Sequence, residues 1–381
     1  MTLSLPDTRP TGGVALHREW VADWAQISSS GENLDALLVS AAQPAELTGL
    51  LIAALRLDLP AVLAAPLTEP FAVAFAALGF APLGEDLVEV VVEVARTGWP
   101  RSRDLIEGFS LANALRAGLS LGAGPELLVH LAAIAHEAGE VGFTQMIRVL
   151  APENPAVSTP QSSWFEKHGV AGLFAYLGEA LHDTPTVTGR LKEPLPPVPP
   201  APEVAGSRLV FVRGRASGTE AVCRTDGAVA ELSGLCRFYA SEEAAVRAVE
   251  DGEPGPSDLL VVVGCGPRGG PGLLRLDLLE RVLGEASLNV PVFTDGLSPD
   301  GVMGTWISLV APEVAVGGII GRLRDGDLLR LDLVEGIIRT GVKAEEFSRR
   351  KPFAVPISPG SGYAARYVRA AFPALEGAGF G

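Results

Sequence analysis

Apolar residues follow two different rhythms along the chain, and the change comes near its middle. Leu34 to Ala41 (LDALLVSA) is a short apolar run of buried-strand length. Residues 46–57 (ELTGLLIAALRL) stay apolar along a helix-length segment, and Pro60 to Ala65 (PAVLAA) reads as the next strand. The three make one βαβ unit, with a parallel strand pair and a right-handed crossover. Helical patterns follow. Asp104 is placed to cap a helix through about Arg116, and Pro125 to open one that ends near Gly139. Trp164 to Leu181 predicts a further helix, interrupted by Gly169 and Gly172. Farther on the period shortens. LVFV at 209–212, LLVVV at 259–263, VPVF at 290–293 and LLRLDL at 328–333 are β-type runs, divided by turns such as Asp325-Gly326-Asp327. Helical segments in this half are expected at 241–250 and 271–285. Many short strands with few helices point to a barrel or a sandwich.

The predicted fold is therefore an α/β N-terminal domain, a parallel sheet with helices, plus a C-terminal β-barrel-like domain with flanking helices. Pro194 to Pro202 reads PLPPVPPAP, which favours extended polyproline geometry and cannot enter a helix or a central strand. It sets the expected organisation: a domain over 1–193, a linker over 194–206 and a second domain over 207–381.

Composition narrows the function classes. The 381 residues suffice for two domains, and 48% hydrophobic with 20% charged is a globular balance. A formal charge of -15 argues against nucleic acid or an anionic membrane surface as the main partner. No basic segment followed by an apolar one opens the chain, so a cytoplasmic location is expected. The most apolar stretch, near Ala61 to Gly84, is cut by Pro66, Glu69 and Pro70, so no membrane span is expected. Cys223, Cys236 and Cys265 form no CxxC pair, which removes a zinc ribbon or a local cluster motif. A small-molecule ligand is the expected partner.

Three C-terminal stretches carry a resemblance. Residues 264–272 read GCGPRGGPG, VPVFTDGLSPDGVMG begins at 290, and APEVAVGGIIGRLRDGD spans 311–327. Their order and spacing resemble the C-terminal domain of the dihydroxy-acid and phosphogluconate dehydratase family. That domain carries Gly-Pro-Lys-Gly-Gly-Pro-Gly, then Thr-Asp-Gly, then Pro-Glu-Ala and Gly-Gly before Asp-Gly-Asp. The N-terminal half agrees. LLVHLAAIAHEAG (127–139) is similar to a family helix, Leu34 to Val62 aligns without a gap on the family's segment around Asn-Cys-Asp-Lys, and TVTG (186–189) matches another fragment. The resemblance implies a homodimer and metal-assisted loss of a hydroxyl, with an iron–sulfur cluster on three cysteines, a magnesium ion beside it and a serine base.

The departures fall on the chemistry. Gln43-Pro44-Ala45 stands where the family has Cys-Asp-Lys, and LTEPFAV (67–73) where it has Gly-Ser-Cys-Gly-Gly. The earliest family cysteine would lie upstream of Met1. Gly124-Pro125-Glu126 replaces Ser-Thr-Asn, Cys265 replaces a glutamate, and Pro299 falls on the serine, with Ser298 one residue earlier. Phe372-Pro373-Ala374 replaces a serine-rich stretch. Iron–sulfur ligation needs thiolates or similar donors, so neither a cluster nor any other cofactor or metal is expected.

The residues that remain as candidates are few. Asp295, Ser298 and Glu313 are the candidate catalytic groups, since strand-end loops commonly present polar side chains to a site. Gln43, Glu126, Cys265, Asp300 and Tyr363 are the candidate ligand-binding groups. Each also has a bland alternative: turn chemistry for the Asp-Gly and Ser-Pro-Asp positions, a small buried apolar side chain for Cys265. His130 and His136 lie about 120° apart on a helix and do not form a metal pair; His136-Glu137 reads as a helix end. The leading reading is a repurposed, cofactor-independent enzyme of lyase or isomerase type in specialised metabolism. It would cyclise, isomerise or dehydrate a relatively apolar metabolite. A non-catalytic paralogue that binds a partner protein, and a hydro-lyase on a dihydroxy acid or sugar acid, are the alternatives.

Overall fold

The computed structural model describes residues 5, 12–193, 195–202, 206–214, 218–302, 305–355 and 362–380. These divide into two compact units. The first holds residues 17–123 and 127–206; the second holds residues 124–126 and 207–381 together with 12–16.

The first unit is mainly helical around a small parallel sheet. Helix α1 covers Val14–Ser29, of which residues 17–29 belong here. Strands β1 (Leu37–Val39) and β2 (Ala61–Leu63) pair in parallel, Leu37 opposite Ala61, with α2 (Pro44–Leu57) between them in sequence. This is the βαβ unit read from the apolar runs. Pro44 sits in the first turn of α2, where its missing N–H costs nothing, and Asp58 in the left-handed region ends the helix. Next come α3 (Pro70–Ala77), which is buried nearly throughout, and α4 (Leu87–Thr97), whose N-terminal N–H groups are capped by Asp86. Helix α5 (Gly108–Ser120) packs on α3 and on α7 (Phe143–Glu153), with α6 (Pro125–Ala138) between them in sequence. Helix α8 spans Ser163–Leu177 and breaks at Gly169, while Gly172 continues it. A hairpin of β3 (Pro185–Thr186) and β4 (Gly189–Arg190) closes the unit's secondary structure.

One local expectation is corrected here. Asp104 does not cap a long helix. It lies in a short 3-10 turn, where its carboxylate accepts the Arg101 N–H, and α5 starts only at Gly108. Leu105, the last residue of that turn, and Ile106, in extended backbone just past it, are both buried. His136 stands in the last turn of α6, the expected helix end, followed by Glu137. The Glu137 carboxylate takes the Arg56 guanidinium at 3.0 Å, beside Asp23 and Glu19. His130 is fully buried edge-on to Phe71. In the polyproline run, Pro194 lies outside the described residues, and the Trp164 indole N–H donates to the Pro200 carbonyl.

The second unit is a closed eight-stranded barrel. Its strands are β5 (Arg208–Gly214), β6 (Glu220–Thr225), β7 (Glu231–Tyr239), β8 (Asp258–Val262), β9 (Val292–Thr294), β10 (Trp306–Ala311), β11 (Leu328–Asp332) and β12 (Ile337–Thr340). They run in the order β10-β6-β5-β12-β11-β7-β8-β9 and close on β10. Closure removes the free edges that an open sheet of short strands would expose. Strand β7 alternates, with Leu232, Gly234 and Cys236 turned inward and Glu231, Ser233 and Leu235 outward. Gly234 has no room for a side chain, because a Cβ there would stand 2.7 Å from that of Leu259. Strand β8, the LLVVV run, is buried on both faces. Val261 and Leu259 join the barrel core, while Leu260 and Val262 pack under α9 (Glu242–Glu250) and α10 (Asp277–Glu285). That two-sided burial explains a continuous apolar run where β7 shows alternation. The helix expected over 271–285 starts only at Asp277. Residues 272–275 stay with the preceding turn, with Leu273 at φ 68° and Arg275 bridged to Leu297.

Candidate functional site

The glycine turn at 264–272 follows β8 and is built around two carboxylates. Asp295, just past β9, is 1% exposed. Its Oδ1 accepts the Cys265 N–H at 2.9 Å, and its Oδ2 accepts the N–H groups of Gly264 (3.3 Å) and Val314 (3.1 Å). Glu313, just past β10, accepts the Arg268 N–H at 3.0 Å on Oε1 and the Gly269 N–H at 3.0 Å on Oε2. Gly266 is required beneath it, since a Cβ there would meet Glu313 Oε2 at 2.4 Å. The structure thus brings Asp295, Glu313 and Cys265 together. It places Asp295 as a brace between three chain segments, with both oxygens occupied.

Burial shifts both acids. Desolvation pushes the Asp295 carboxyl up against the pull of its backbone N–H partners. Desolvation, reinforced by the Asp295 charge and opposed by the Gly269 and Arg268 N–H groups, pushes Glu313 up to about 7. A buried carboxyl that titrates near neutrality is the form in which an acid can deliver a proton at physiological pH.

A second cluster forms around Arg275. Its Nη1 donates to Glu126 Oε2 at 3.1 Å and Asp300 Oδ2 at 3.3 Å, and its Nε to Asp277 Oδ2 at 2.9 Å. Glu126 and Asp300 are therefore brought together, through a cation that sequence reasoning passed over. Arg268 was also passed over, although it occupies the lysine position of the family's turn motif. Its guanidinium donates to the Ala371 carbonyl at 2.9 Å. Ser298 is 5% exposed in the loop between Asp295 and Asp300. Tyr363 opens a short helix, α12 (Tyr363–Ala370), which follows α11 (Ala344–Arg349), and its ring meets Phe380 edge-on. Gln43 is exposed at the start of α2, in the first unit.

The donors present do not fit an iron–sulfur cluster. Cys223 and Cys236 point into the barrel core, and Cys265 belongs to the separate apolar cluster under α9 and α10. Burial pushes the thiols of Cys223 and Cys236 up to about 12, and that of Cys265 well above its ordinary value, so all three are held as neutral thiols. Gln43, Pro44 and Ala45 offer neither thiolate nor carboxylate. Among the described residues no group of three or more His, Cys, Asp or Glu side chains is arranged to hold a metal ion. Among the same residues no helix is long and apolar enough to cross a membrane.

Comparison with known proteins converges on one lineage. The family model described as "Dihydroxy-acid/6-phosphogluconate dehydratase C-terminal" matches residues 200–378, the barrel unit. A dihydroxy-acid dehydratase of Citrifermentans bemidjiense is 30% identical over 325 residues, covering 77% of this chain and 57% of the relative. One of Methanospirillum hungatei is 30% identical over 299 residues, covering 72% of this chain and 55% of the relative. One of Clostridium botulinum is 29% identical over 307 residues, covering 73% and 55%. The chain thus spans a little over half the length of these relatives. The barrel unit, with its glycine turn and the two carboxylates that brace it, belongs to the dihydroxy-acid and 6-phosphogluconate dehydratase C-terminal domain family, and the chain is similar to dihydroxy-acid dehydratases over about three quarters of its length.

Proposed function

We propose that this chain is a repurposed member of its family, a cofactor-independent enzyme of lyase or isomerase type acting on a relatively apolar small molecule. The observation that carries this reading is a contrast within one molecule. The family's scaffold is retained, whereas the positions that would supply thiolate, carboxylate and amine donors hold Gln43, Pro44 and Ala45. The polar positions that remain have shifted toward Pro, Phe and Ala, which suits a less polar ligand than a dihydroxy acid. Glu313 is the proposed proton donor, because its carboxyl titrates near neutrality. Asp295 then acts as a positioning residue that fixes the turn against which Glu313 sits. Ser298 and Asp300, in the same strand-end loop, and Glu126 are proposed to orient the ligand. A homodimer in the cytoplasm is the proposed form.

The test is comparative metabolite profiling of the host with and without the gene. One precursor is expected to accumulate and one product to vanish, and their mass difference separates loss of water from isomerisation. Restoring the gene with Glu313→Gln is expected to leave the precursor in place. An unchanged profile contradicts the enzyme reading and favours a non-catalytic paralogue. A restored dihydroxy-acid or sugar-acid product would instead favour the ordinary hydro-lyase.

A further inference from the structure

We infer that Trp164, His168 and Tyr176 form a polyproline-binding site, and that the chain's own proline-rich segment, residues 195–202, is the ligand it holds. Site and segment both lie in the first unit. They are apart from the carboxylates of the barrel, so the inference stands whether or not the chain is catalytic.

The site is built by the two glycines that interrupt α8. Trp164 and Tyr176 are twelve positions apart, which is about 18 Å along a straight helix. Gly169, at φ 59°, breaks the helix between them, and the two rings meet edge-on with their centroids 5.8 Å apart. His168 comes one turn after Trp164, with its ring 5.2 Å away. Gly172 leaves room for it, since a Cβ there would stand 2.6 Å from that of His168.

The segment reads LPPVPPAP. Its prolines have no N–H and offer only rings and carbonyl oxygens. Recognition therefore needs an apolar surface that also carries a donor, and an indole combines the two. The Trp164 indole N–H donates to the Pro200 carbonyl at 2.7 Å. From Pro199 on, burial follows the three-residue turn of a polyproline helix: Pro199 is buried, Pro200 and Ala201 are exposed, and Pro202 is partly buried. Pro199 and Pro202 thus share the inward face, which is the spacing of a Pro-x-x-Pro ligand. Farther on, Gly206 lies so close to Ala156 that a Cβ would meet the Ala156 carbonyl oxygen at 2.0 Å. The proline-rich stretch is fixed to the first unit at Pro200 and again at Gly206.

The test separates the site from its ligand. In one variant of the full chain, residues 195–202 are replaced by a Gly-Ser run of equal length, which removes the competing segment. A fluorescently labelled LPPVPPAP peptide is then titrated, and its anisotropy is read. The Gly-Ser chain is expected to bind the peptide saturably. The unaltered chain is expected to bind it at least about tenfold more weakly, because its own segment competes at the high effective concentration of a short tether. Adding Trp164→Phe to the Gly-Ser chain keeps a ring but removes the N–H, and is expected to weaken binding about fivefold. Trp164→Ala is expected to abolish it. The inference is overturned by no saturable binding to the Gly-Ser chain, by binding that Trp164→Ala leaves intact, or by equal binding to the unaltered chain. If the Gly-Ser chain does not fold, the segment is read in place through a nitroxide on Ala201→Cys. Ala201 is exposed, whereas Cys223, Cys236 and Cys265 are buried, so the label is selective. Slow nitroxide motion that Trp164→Phe quickens supports the docked segment. Fast motion with Trp164 in place, or motion that Trp164→Phe does not change, overturns it.

Discussion

Asp295→Ala is expected to lower stability by about 3 kcal/mol, or to prevent folding. The substitution leaves the N–H groups of Gly264, Cys265 and Val314 without their acceptor, at a position 1% exposed. Each buried donor left unpaired costs about 1–3 kcal/mol, and the gross loss is offset in part because a desolvated carboxylate is also removed. The damage should spread along the connections of the turn, to Glu313, to residues 13–15 and to Ala371. Asp295→Asn retains one acceptor oxygen and is expected to recover part of the loss. Urea denaturation of the three proteins measures both effects. A loss below about 1 kcal/mol in the alanine variant would mean that the turn is held by its other contacts.

Stability is expected to fall as pH rises through neutrality, by about 3 kcal/mol between pH 5 and 8. Glu313 carries an ordinary value near 4.5 in the unfolded chain and about 7 in the folded one. Between those values the folded state binds more protons than the unfolded state, so raising the pH favours unfolding. The contribution is fully present below about 4.5 and is lost as the folded carboxyl ionises near 7. The upward displacement of Asp295 acts in the same direction. The dependence runs opposite to that of a salt-bridged surface acid, which stabilises a protein as it ionises. Urea midpoints across this range are expected to decline for the unaltered chain and to decline markedly less for Glu313→Gln, where only the Asp295 contribution remains. A rising midpoint in the unaltered chain would place a stabilising cation beside Glu313 and contradict the assignment.

Much of the fold was legible because its signals are local. The run LLVVV, bounded by turn residues, announced a strand, and β8 is one, buried on both faces. The apolar runs around residues 34–65 announced the β1–α2–β2 unit, and the strands pair in parallel as expected. The errors lie where tertiary burial outweighs a local signal. Asp104 has the chemistry of a cap, but the short turn that holds it ends in buried Leu105, and buried Ile106 continues in extended backbone before α5 begins. Residues 272–275 have helical neighbours, yet the turn retains them through backbone bonds to residues 13–15 and Leu297.

The candidate site was legible in part, for a similar reason. Asp295 and Glu313 were found from family motifs, but their grip on the turn runs through backbone N–H groups, which leave no mark in a sequence. The Arg275 cluster joins Glu126 to Asp300 across 149 and 25 residues, a pairing that no local spacing reveals. The loss of donors at Gln43-Pro44-Ala45, by contrast, is written in the letters themselves.

That loss of donors separates this chain from the metal-assisted chemistry of its relatives, and one measurement addresses it. The purified chain would be treated anaerobically with ferrous iron, sulfide and a thiol reductant, desalted, and assayed for bound iron, acid-labile sulfide and cluster absorption. No cluster is expected, and Cys223, Cys236 and Cys265 should all react as free thiols after denaturation. Iron and sulfide retained in stoichiometric amounts, with a cluster spectrum that survives desalting, would contradict the account and return the chain to the metal-assisted chemistry of its family.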